Sequence, residues 1–135
     1  MEASDDNTEA LPFERNPAEI ADLIASGARV IDVRQSYEFD AARIPGAEQI
    51  GLQELAGRRD EINKDEPTVF YCRVGNRSAM AATAFVDAGY DITSLAGGIA
   101  AWIEEGHEIE PADGYVAEPG EAAAILESRS RAELQ

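Results

Sequence analysis

The 135-residue sequence has very few of the residues that build thiol or metal centres. It contains one cysteine, Cys72, and one histidine, His107. One cysteine cannot form an intramolecular disulfide, and one cysteine with one histidine supplies too few ligands for a structural zinc site. Any thiol chemistry must therefore use Cys72 alone, with the second thiol supplied by another molecule.

Long apolar runs and basic residues are also scarce. No apolar run is long enough for a membrane span, and no basic start followed by an apolar segment indicates a signal peptide. A cytoplasmic location is therefore the expectation. The formal net charge is −16, whereas nucleic-acid binding requires a basic surface. The composition argues against nucleic-acid and membrane partners.

The acidic excess is concentrated at the two ends of the chain. Residues 1–14 hold five acids and no base, and residues 104–135 hold nine acids and two arginines; residues 15–103 are closer to balance, with thirteen acids and nine bases. Solvated acidic ends around one domain fit this pattern. Lys64 is the one lysine beside ten arginines, a bias that a high-salt habitat and a G+C-rich genome explain equally.

The length suits a single domain with one core. We predict a disordered acidic lead-in over residues 1–11, the domain over residues 12–113, and a C-terminal extension over residues 114–135. The apolar segment 122–126 in that extension is either a short helix or a flexible stretch, and the helix is favoured.

Strand-like and helix-like segments alternate within the domain. Asn16-Pro17-Ala18-Glu19 combines an N-cap side chain, a proline at the first helical position and an acid three residues after the cap, and Gly27 ends this helix. Strands are expected at 29–34, 48–50, 68–71 and 91–95, with one helical turn and a Pro45-Gly46 turn within 35–47, and helices at about 52–62, at 78–88 and after Gly97-Gly98. Such alternation favours an α/β fold whose parallel sheet is covered on both faces.

The central stretch of the chain runs strand, tight loop, helix. Residues 68–71 are bulky and mostly β-favouring, whereas residues 78–88 are rich in alanine and stop at Gly89. The loop between them is Cys72-Arg73-Val74-Gly75-Asn76-Arg77. The only cysteine is therefore expected at the carboxyl end of a strand, facing the next helix N-terminus, where open α/β sheets bind their ligands.

The surroundings expected for this cysteine favour its thiolate. Free N–H groups at the helix N-terminus and the charges of Arg73 and Arg77 stabilise an anion, either the thiolate or an oxyanion substrate. Gly75 permits the positive φ that a loop around an anion often needs. Strand, loop and helix alone leave two interpretations of Cys72 open: a reactive thiolate and an inert buried cysteine.

Other conspicuous residues have a structural interpretation. Asp32 interrupts an apolar strand, and a buried carboxylate needs a partner, for which Arg34 or a main-chain donor is available. We expect Asp32 to tie loops together beneath the site rather than to act in catalysis. Arg34 and Glu38 are expected to brace the fold, although Arg34 follows a strand end and could face the pocket. Trp102 is predicted in the core and His107 at the surface.

Three separated segments carry a family resemblance. They are Val30-Ile31-Asp32-Val33-Arg34 with Glu38 and Ile44-Pro45-Gly46-Ala47; Cys72-Arg73-Val74-Gly75-Asn76-Arg77-Ser78 with Ala81; and Leu95-Ala96-Gly97-Gly98-Ile99 with Trp102 and Gly106. In this order over residues 13–110 they resemble the rhodanese, or sulfurtransferase, domain family in its single-domain form. The resemblance implies a mostly parallel five-stranded sheet with helices on both faces, and a cysteine that carries sulfane sulfur as a persulfide.

The resemblance also assigns roles by position. The nucleophile falls on Cys72, and the substrate-binding loop on Arg73, Val74, Gly75, Asn76 and Arg77. Beside these assignments, we expect supporting roles for Asp32, Arg34 and Ser78. No metal or organic cofactor is implied. Arg43 stands where the family usually has a histidine before Ile-Pro-Gly-Ala. That histidine is generally not the catalytic base, so the difference is expected to alter charge near the site entrance rather than chemistry.

The implied activity is transfer of sulfane sulfur from thiosulfate or a persulfide donor to a thiol or cyanide through a Cys72 persulfide. The partners are then a small-molecule donor and a thiol acceptor, with a protein thiol or a sulfur-donor protein as further candidates. A carrier or binding module loaded by a specific protein is the alternative. The loop from Cys72 to Arg77 has the six-residue length of sulfurtransferases, whereas related phosphatases and arsenate reductases insert one more residue. A phosphatase is therefore disfavoured.

Overall fold

A computed structural model of the protein describes residues 11–117. The predicted lead-in, apart from residue 11, and the predicted helix at 122–126 lie outside these residues. In chain order the elements are β1 (Glu14–Arg15), α1 (Pro17–Ala25), β2 (Arg29–Asp32), α2 (Ser36–Ala41), β3 (Glu48–Gln49), α3 (Leu52–Leu55), a 3₁₀ helix (Ala56–Glu61), β4 (Thr68–Tyr71), α4 (Asn76–Asp87), β5 (Ile92–Leu95) and α5 (Gly98–Glu104). None of the helices within residues 11–117 is long and apolar enough to cross a bilayer.

The strands form one five-stranded sheet in the order β1-β5-β4-β2-β3, with every neighbouring pair parallel. The predicted α/β class and five-stranded sheet are confirmed. β4 is the central strand, with Tyr71 opposite Asp32 of β2 and Phe70 opposite Ser94 of β5. Cys72 follows directly after β4, so it lies at the middle of the carboxyl edge of the sheet.

Alternate strand residues face the two layers of helices. On one face Ile31 and Phe70 pack with residues of α3 and α4, and on the other Val30 and Val69 pack with residues of α1 and α5. Both faces are thus covered, as a parallel sheet requires. Trp102 is only 5% exposed and belongs to the second layer, which confirms its predicted place in the core.

The first helix begins and ends as predicted. The Asn16 side chain accepts the Glu19 N–H at 2.9 Å, and the Glu19 carboxylate accepts the Asn16 N–H at 3.2 Å, which completes a capping box. Gly27, with φ of 101°, turns the chain out of the helix and into β2. The backbone enters the sheet two residues later.

One predicted helix differs in the structure, and one strand was not located from the sequence. The single helix expected over 52–62 is wrong: α3 ends at Leu55, a 3₁₀ helix follows, and Arg58 leaves the helical region with φ of −118°. Gly57 is a weak helix former, and Ile62 takes an extended conformation that buries its side chain in the core. β1 has no signal in the residue pattern because only two residues, Glu14 and Arg15, pair with β5.

Candidate active site

The sulfur of Cys72 is the centre of a compact set of donors. Cys72 is only 1% exposed, and its Sγ accepts the N–H of Gly75 at 3.1 Å and the N–H of Ser78 at 3.3 Å. One N–H group comes from the loop and the other from the first turn of α4, and both point at the sulfur. Two converging N–H donors stabilise negative charge on sulfur.

Gly75 allows the loop to take this shape. It is the N-cap of α4 with φ of 105°, and a Cβ at this position would lie 3.1 Å from the backbone nitrogen of Gly97. Both the positive φ and the close approach favour glycine. The N–H groups of Asn76 and Arg77, in the first turn of α4, have no acceptor within their helix, so the loop presents further donors to an anion.

The Gly97-Gly98 turn and the start of α5 hold the cysteine loop through backbone hydrogen bonds. At the start of α5, Ile99 N–H donates to the Cys72 carbonyl at 2.9 Å, and Ala100 N–H donates to the Arg73 carbonyl at 3.0 Å. Gly98 has φ of 63°, and a Cβ there would overlap the Arg73 carbonyl group. The Gly97-Gly98 pair thus lets the backbone of α5 approach the loop and fix two of its carbonyls.

Arg77 is fixed by a buried acid that sequence reasoning placed outside the site. Its Nη1 and Nη2 donate to Glu38 Oε1 and Oε2, both at 2.9 Å, and the Gln35 N–H donates to Glu38 Oε1 at 3.1 Å. Burial by itself raises the pKa of Glu38, but the hydrogen bonds from Arg77 and Gln35 outweigh it and the pKa is lowered. Glu38 is therefore held as the carboxylate and orients Arg77.

Asp32 and Arg34 form a second, fully buried ion pair after β2. Arg34 donates to Asp32 through its backbone N–H, Nε and Nη2, at 2.6 to 3.0 Å, and Nη2 also donates to the Ala42 carbonyl at 2.6 Å. The expected partnership of Asp32 with Arg34 is confirmed. Burial lowers the pKa of Arg34, but the Asp32 carboxylate outweighs it and the pKa is raised. Because the Arg34 side chain is 0% exposed, it does not face an open pocket.

The remaining loop residues differ in exposure. Arg73 is half-buried, and its buried Nε has no hydrogen-bond partner among residues 11–117. Val74 is 41% exposed and Asn76 lies on the surface. Outside the loop, Arg43 packs over the Phe39 ring and pairs with Glu110, which directs its charge toward the C-terminal segment. The residues predicted together as the substrate-binding loop therefore differ in exposure, with Arg73 half-buried and Val74 and Asn76 exposed.

A buried serine, Ser78, also contacts the cysteine, and it pairs with a second buried serine, Ser94. Ser78 Oγ lies 3.6 Å from Cys72 Sγ, 3.2 Å from the Gly75 carbonyl and 2.8 Å from Ser94 Oγ. Ser78 was predicted as a supporting residue, but Ser94 of β5 was not identified. Its signal in the sequence is a serine at a buried position of a strand otherwise ending in apolar residues.

A cleft of about 480 Å³ borders the loop at Arg77. Polar side chains from the start of α2 and from the β3–α3 segment line much of it, among them Gln35, Ser36, Gln49 and Gln53. The cleft offers space for a small polar substrate beside the cysteine loop. His107, which was predicted at the surface, is half-buried and stacks on Trp102 with ring centroids 4.4 Å apart.

Comparison with known proteins identifies similar chains. A sequence profile described as the rhodanese-like domain matches residues 16–105. The uncharacterized protein YqhL of Bacillus subtilis is 40% identical over 76 residues, which cover 56% of this chain and 60% of YqhL. The thiosulfate sulfurtransferase GlpE of Pseudomonas aeruginosa is 33% identical over 98 residues, which cover 72% of this chain and 86% of GlpE.

A solved structure has the same architecture. The rhodanese-related protein of Thermoplasma volcanium superposes with a TM-score of 0.67 at 31% sequence identity, over 71% of this chain and 95% of that protein. The matched part of the present chain thus corresponds to nearly the whole of a separate small protein.

Proposed function

The chain belongs to the rhodanese-like domain family, and from that premise we propose that it is a sulfurtransferase that carries sulfane sulfur on Cys72. The family and its sulfurtransferase relatives support sulfur transfer in general. The donor that we propose is thiosulfate or a small persulfide, and the acceptor is a thiol or, in vitro, cyanide. A reducing compartment such as the cytoplasm would supply thiol acceptors.

The observation that carries this proposal is the pair of N–H hydrogen bonds from Gly75 and Ser78 to the Cys72 sulfur. These two N–H groups stabilise the Cys72 thiolate, which must attack the sulfur donor. The first N–H groups of α4 and the cationic side chains of Arg73 and Arg77 are the groups that we propose to support an anionic leaving group. The six-residue loop of Cys72 to Arg77 favours sulfur transfer over phosphate chemistry.

In the first half-reaction the Cys72 thiolate attacks the outer sulfur of thiosulfate. A bond forms between Cys72 Sγ and that sulfur, the sulfur–sulfur bond of thiosulfate breaks, and its electron pair leaves with sulfite. A persulfide donor reacts in the same way and releases its thiolate. The loop donors and Arg73 or Arg77 stabilise the leaving anion.

In the second half-reaction an acceptor thiolate or cyanide attacks the outer sulfur of the Cys72 persulfide. The acceptor becomes a persulfide or thiocyanate, and the electron pair of the broken bond returns to Cys72 as thiolate. No external oxidant or reductant is needed. A covalent intermediate with alternating substrates predicts ping-pong kinetics.

Burial of Cys72 bears on the choice of donor. With 1% of the residue exposed, the sulfur is reached only by a small or slender group. The outer sulfur of a persulfide stands about 2 Å beyond Sγ, which makes it easier for a larger acceptor to reach. We therefore propose small donors for the first half-reaction and a wider range of acceptors for the second.

Intact mass spectrometry tests this function. The purified chain is exposed briefly to thiosulfate, beside the Cys72→Ser variant, and each sample is then treated with cyanide. We expect a gain of one sulfur atom on the wild type alone, lost to cyanide with formation of thiocyanate. A sulfur gain on Cys72→Ser would contradict the mechanism.

A wild type that takes no sulfur from thiosulfate or from a small persulfide would overturn the proposed donors. The protein would then act as a carrier loaded by a specific protein, and a pull-down for a sulfur-donor partner would be the next measurement. Circular dichroism of Cys72→Ser controls for folding, because serine differs from cysteine at a fully buried position.

A further inference from the structure

We propose that Ser94 is a positioning residue for Cys72, which it controls through the hydroxyl of Ser78. Ser94 lies on β5 and does not contact the sulfur itself; its Oγ is 2.8 Å from Ser78 Oγ, which is 3.6 Å from Cys72 Sγ. The inference rests on Cys72 being the nucleophile of the proposed function. It adds a residue outside the loop to the chemistry of the loop.

The Ser78 hydroxyl has one hydrogen but three neighbours that can accept it. These are the Gly75 carbonyl at 3.2 Å, Ser94 Oγ at 2.8 Å and Cys72 Sγ at 3.6 Å. The direction of this one hydrogen decides whether the Ser78 hydroxyl is a third donor to the thiolate, beside the N–H groups of Gly75 and Ser78. When Cys72 is a thiolate, Ser94 is the neighbour that can also donate, so it can release the Ser78 hydrogen for another acceptor.

These donors and acceptors allow two hydrogen-bond arrangements. When Cys72 is a thiol, its S–H donates to Ser78 Oγ, and the Ser78 hydrogen goes to the Gly75 carbonyl or to Ser94. When Cys72 is a thiolate, Ser94 donates to Ser78 Oγ and the Ser78 hydrogen turns to the sulfur. The sulfur then has three donors: the N–H groups of Gly75 and Ser78, and the Ser78 hydroxyl.

Burial favours the pairing of the two serine hydroxyls. Ser78 and Ser94 are both 0% exposed, and a buried hydroxyl without a partner is costly. The Ser94 backbone is fixed in the sheet, because its N–H donates to the Phe13 carbonyl at 2.9 Å. In the strand register Ser94 lies opposite Glu14 of β1 on one side and Phe70 of β4 on the other. A rigid strand therefore holds the Ser94 hydroxyl at one place relative to the loop.

The test measures the pH dependence of Cys72 alkylation by iodoacetamide, which reports the thiolate without any sulfur donor. For Ser94→Ala we expect a rate about three- to tenfold below wild type near pH 6, on the scale of one typical intramolecular hydrogen bond, and equal rates near pH 10. Ser94→Thr retains the hydroxyl and is expected to restore the wild-type profile. Thr83→Ala is the control, because the Thr83 hydroxyl bonds the Ala79 carbonyl of its own helix at 2.8 Å.

A double-mutant cycle separates positioning from simple packing. If Ser94 acts through Ser78, Ser94→Ala has no further effect on the profile in a Ser78→Ala background. Equal loss of rate at every pH, or additive effects of the two substitutions, would overturn the proposal. Failure of the proposed function is a distinct result, since the wild type would then alkylate normally but take up no sulfur from thiosulfate.

Discussion

Glu38 and Arg77 are joined by two parallel hydrogen bonds of 2.9 Å, although 39 residues separate them in sequence. The carboxylate is fully buried, whereas the arginine is 25% exposed. The pair ties the last residue of the cysteine loop to α2. Arg77 is thus a structural brace as well as a candidate for stabilising the leaving anion.

Glu38→Gln should destabilise the protein by about 1–3 kcal/mol at pH 7, because a charged partner of Arg77 is lost while part of the hydrogen bonding remains. The partial exposure of Arg77 keeps the effect below that of a fully buried pair. Urea unfolding measures the change. Asp40→Asn, which removes an exposed acid from the same helix, is expected to change stability by less than about 0.5 kcal/mol.

This stabilisation should depend on pH in a defined direction. The pKa of Glu38 is lowered in the folded protein, because its hydrogen bonds outweigh burial, so the stabilisation is fully present above the unfolded value of about 4.3. The stability difference between wild type and Glu38→Gln should stay constant above about pH 5 and shrink as pH falls through the lowered pKa. A difference that grows on acidification would contradict the assignment.

Arg77→Ala should reduce both stability and sulfur transfer, since it leaves the buried Glu38 carboxylate without its cation. The double variant Arg77→Ala/Glu38→Gln separates the two effects. We expect it to regain about 1–2 kcal/mol relative to Arg77→Ala while transfer stays low. If transfer recovers together with stability, Arg77 acts only as a brace.

Gly98→Ala should lower stability by more than about 2 kcal/mol, because φ is positive and the added Cβ overlaps the Arg73 carbonyl. Gly89→Ala is the matched control: its φ is 96° and nothing lies within 4 Å of the added Cβ, so about 1 kcal/mol is expected. Thermal unfolding compares the two. The rate of Cys72 alkylation should change in Gly98→Ala and not in Gly89→Ala. Equal effects of the two substitutions on this rate would mean that α5 does not hold the loop.

Arg73 should favour anionic reagents, since its buried Nε has no partner among the described residues. In wild type we expect iodoacetate to react with Cys72 faster, relative to iodoacetamide, than it does with a free thiol. Arg73→Gln should reduce that ratio about three- to tenfold, the scale of one typical net hydrogen bond. Arg58→Gln, which removes a cation paired with Glu61, is the control. An unchanged ratio in Arg73→Gln would remove Arg73 from the binding loop.

The sequence predicted most of the architecture because strong local signals agree with the tertiary structure. The Asn16–Glu19 capping box and the bulky residues of β4 are such signals, and both elements formed as expected. The prediction of one helix over 52–62 was wrong, because a kinked segment that contains Gly57 has the same spacing of apolar residues. Local periodicity does not determine whether such a segment stays one continuous helix.

For the candidate site, the cysteine loop was predictable but its supports were only partly so. Strand, loop and helix order places Cys72, and the buried acid Asp32 suggests Arg34 as its partner. Pairing of Glu38 with Arg77, and of Ser94 with Ser78, depends on which elements the sheet order brings together. Those contacts join residues on different elements, so no local pattern signals them.

The hydrogen bonds from Ile99 and Ala100 to the carbonyls of Cys72 and Arg73 make the cysteine loop and the start of α5 one cooperative unit. If the loop opens, these two amides lose their acceptors and become available for exchange with solvent. Their hydrogen–deuterium exchange rates would therefore report how often the Cys72 thiol is exposed. A sulfur atom that fills the loop should slow exchange at both amides, even though neither touches the sulfur.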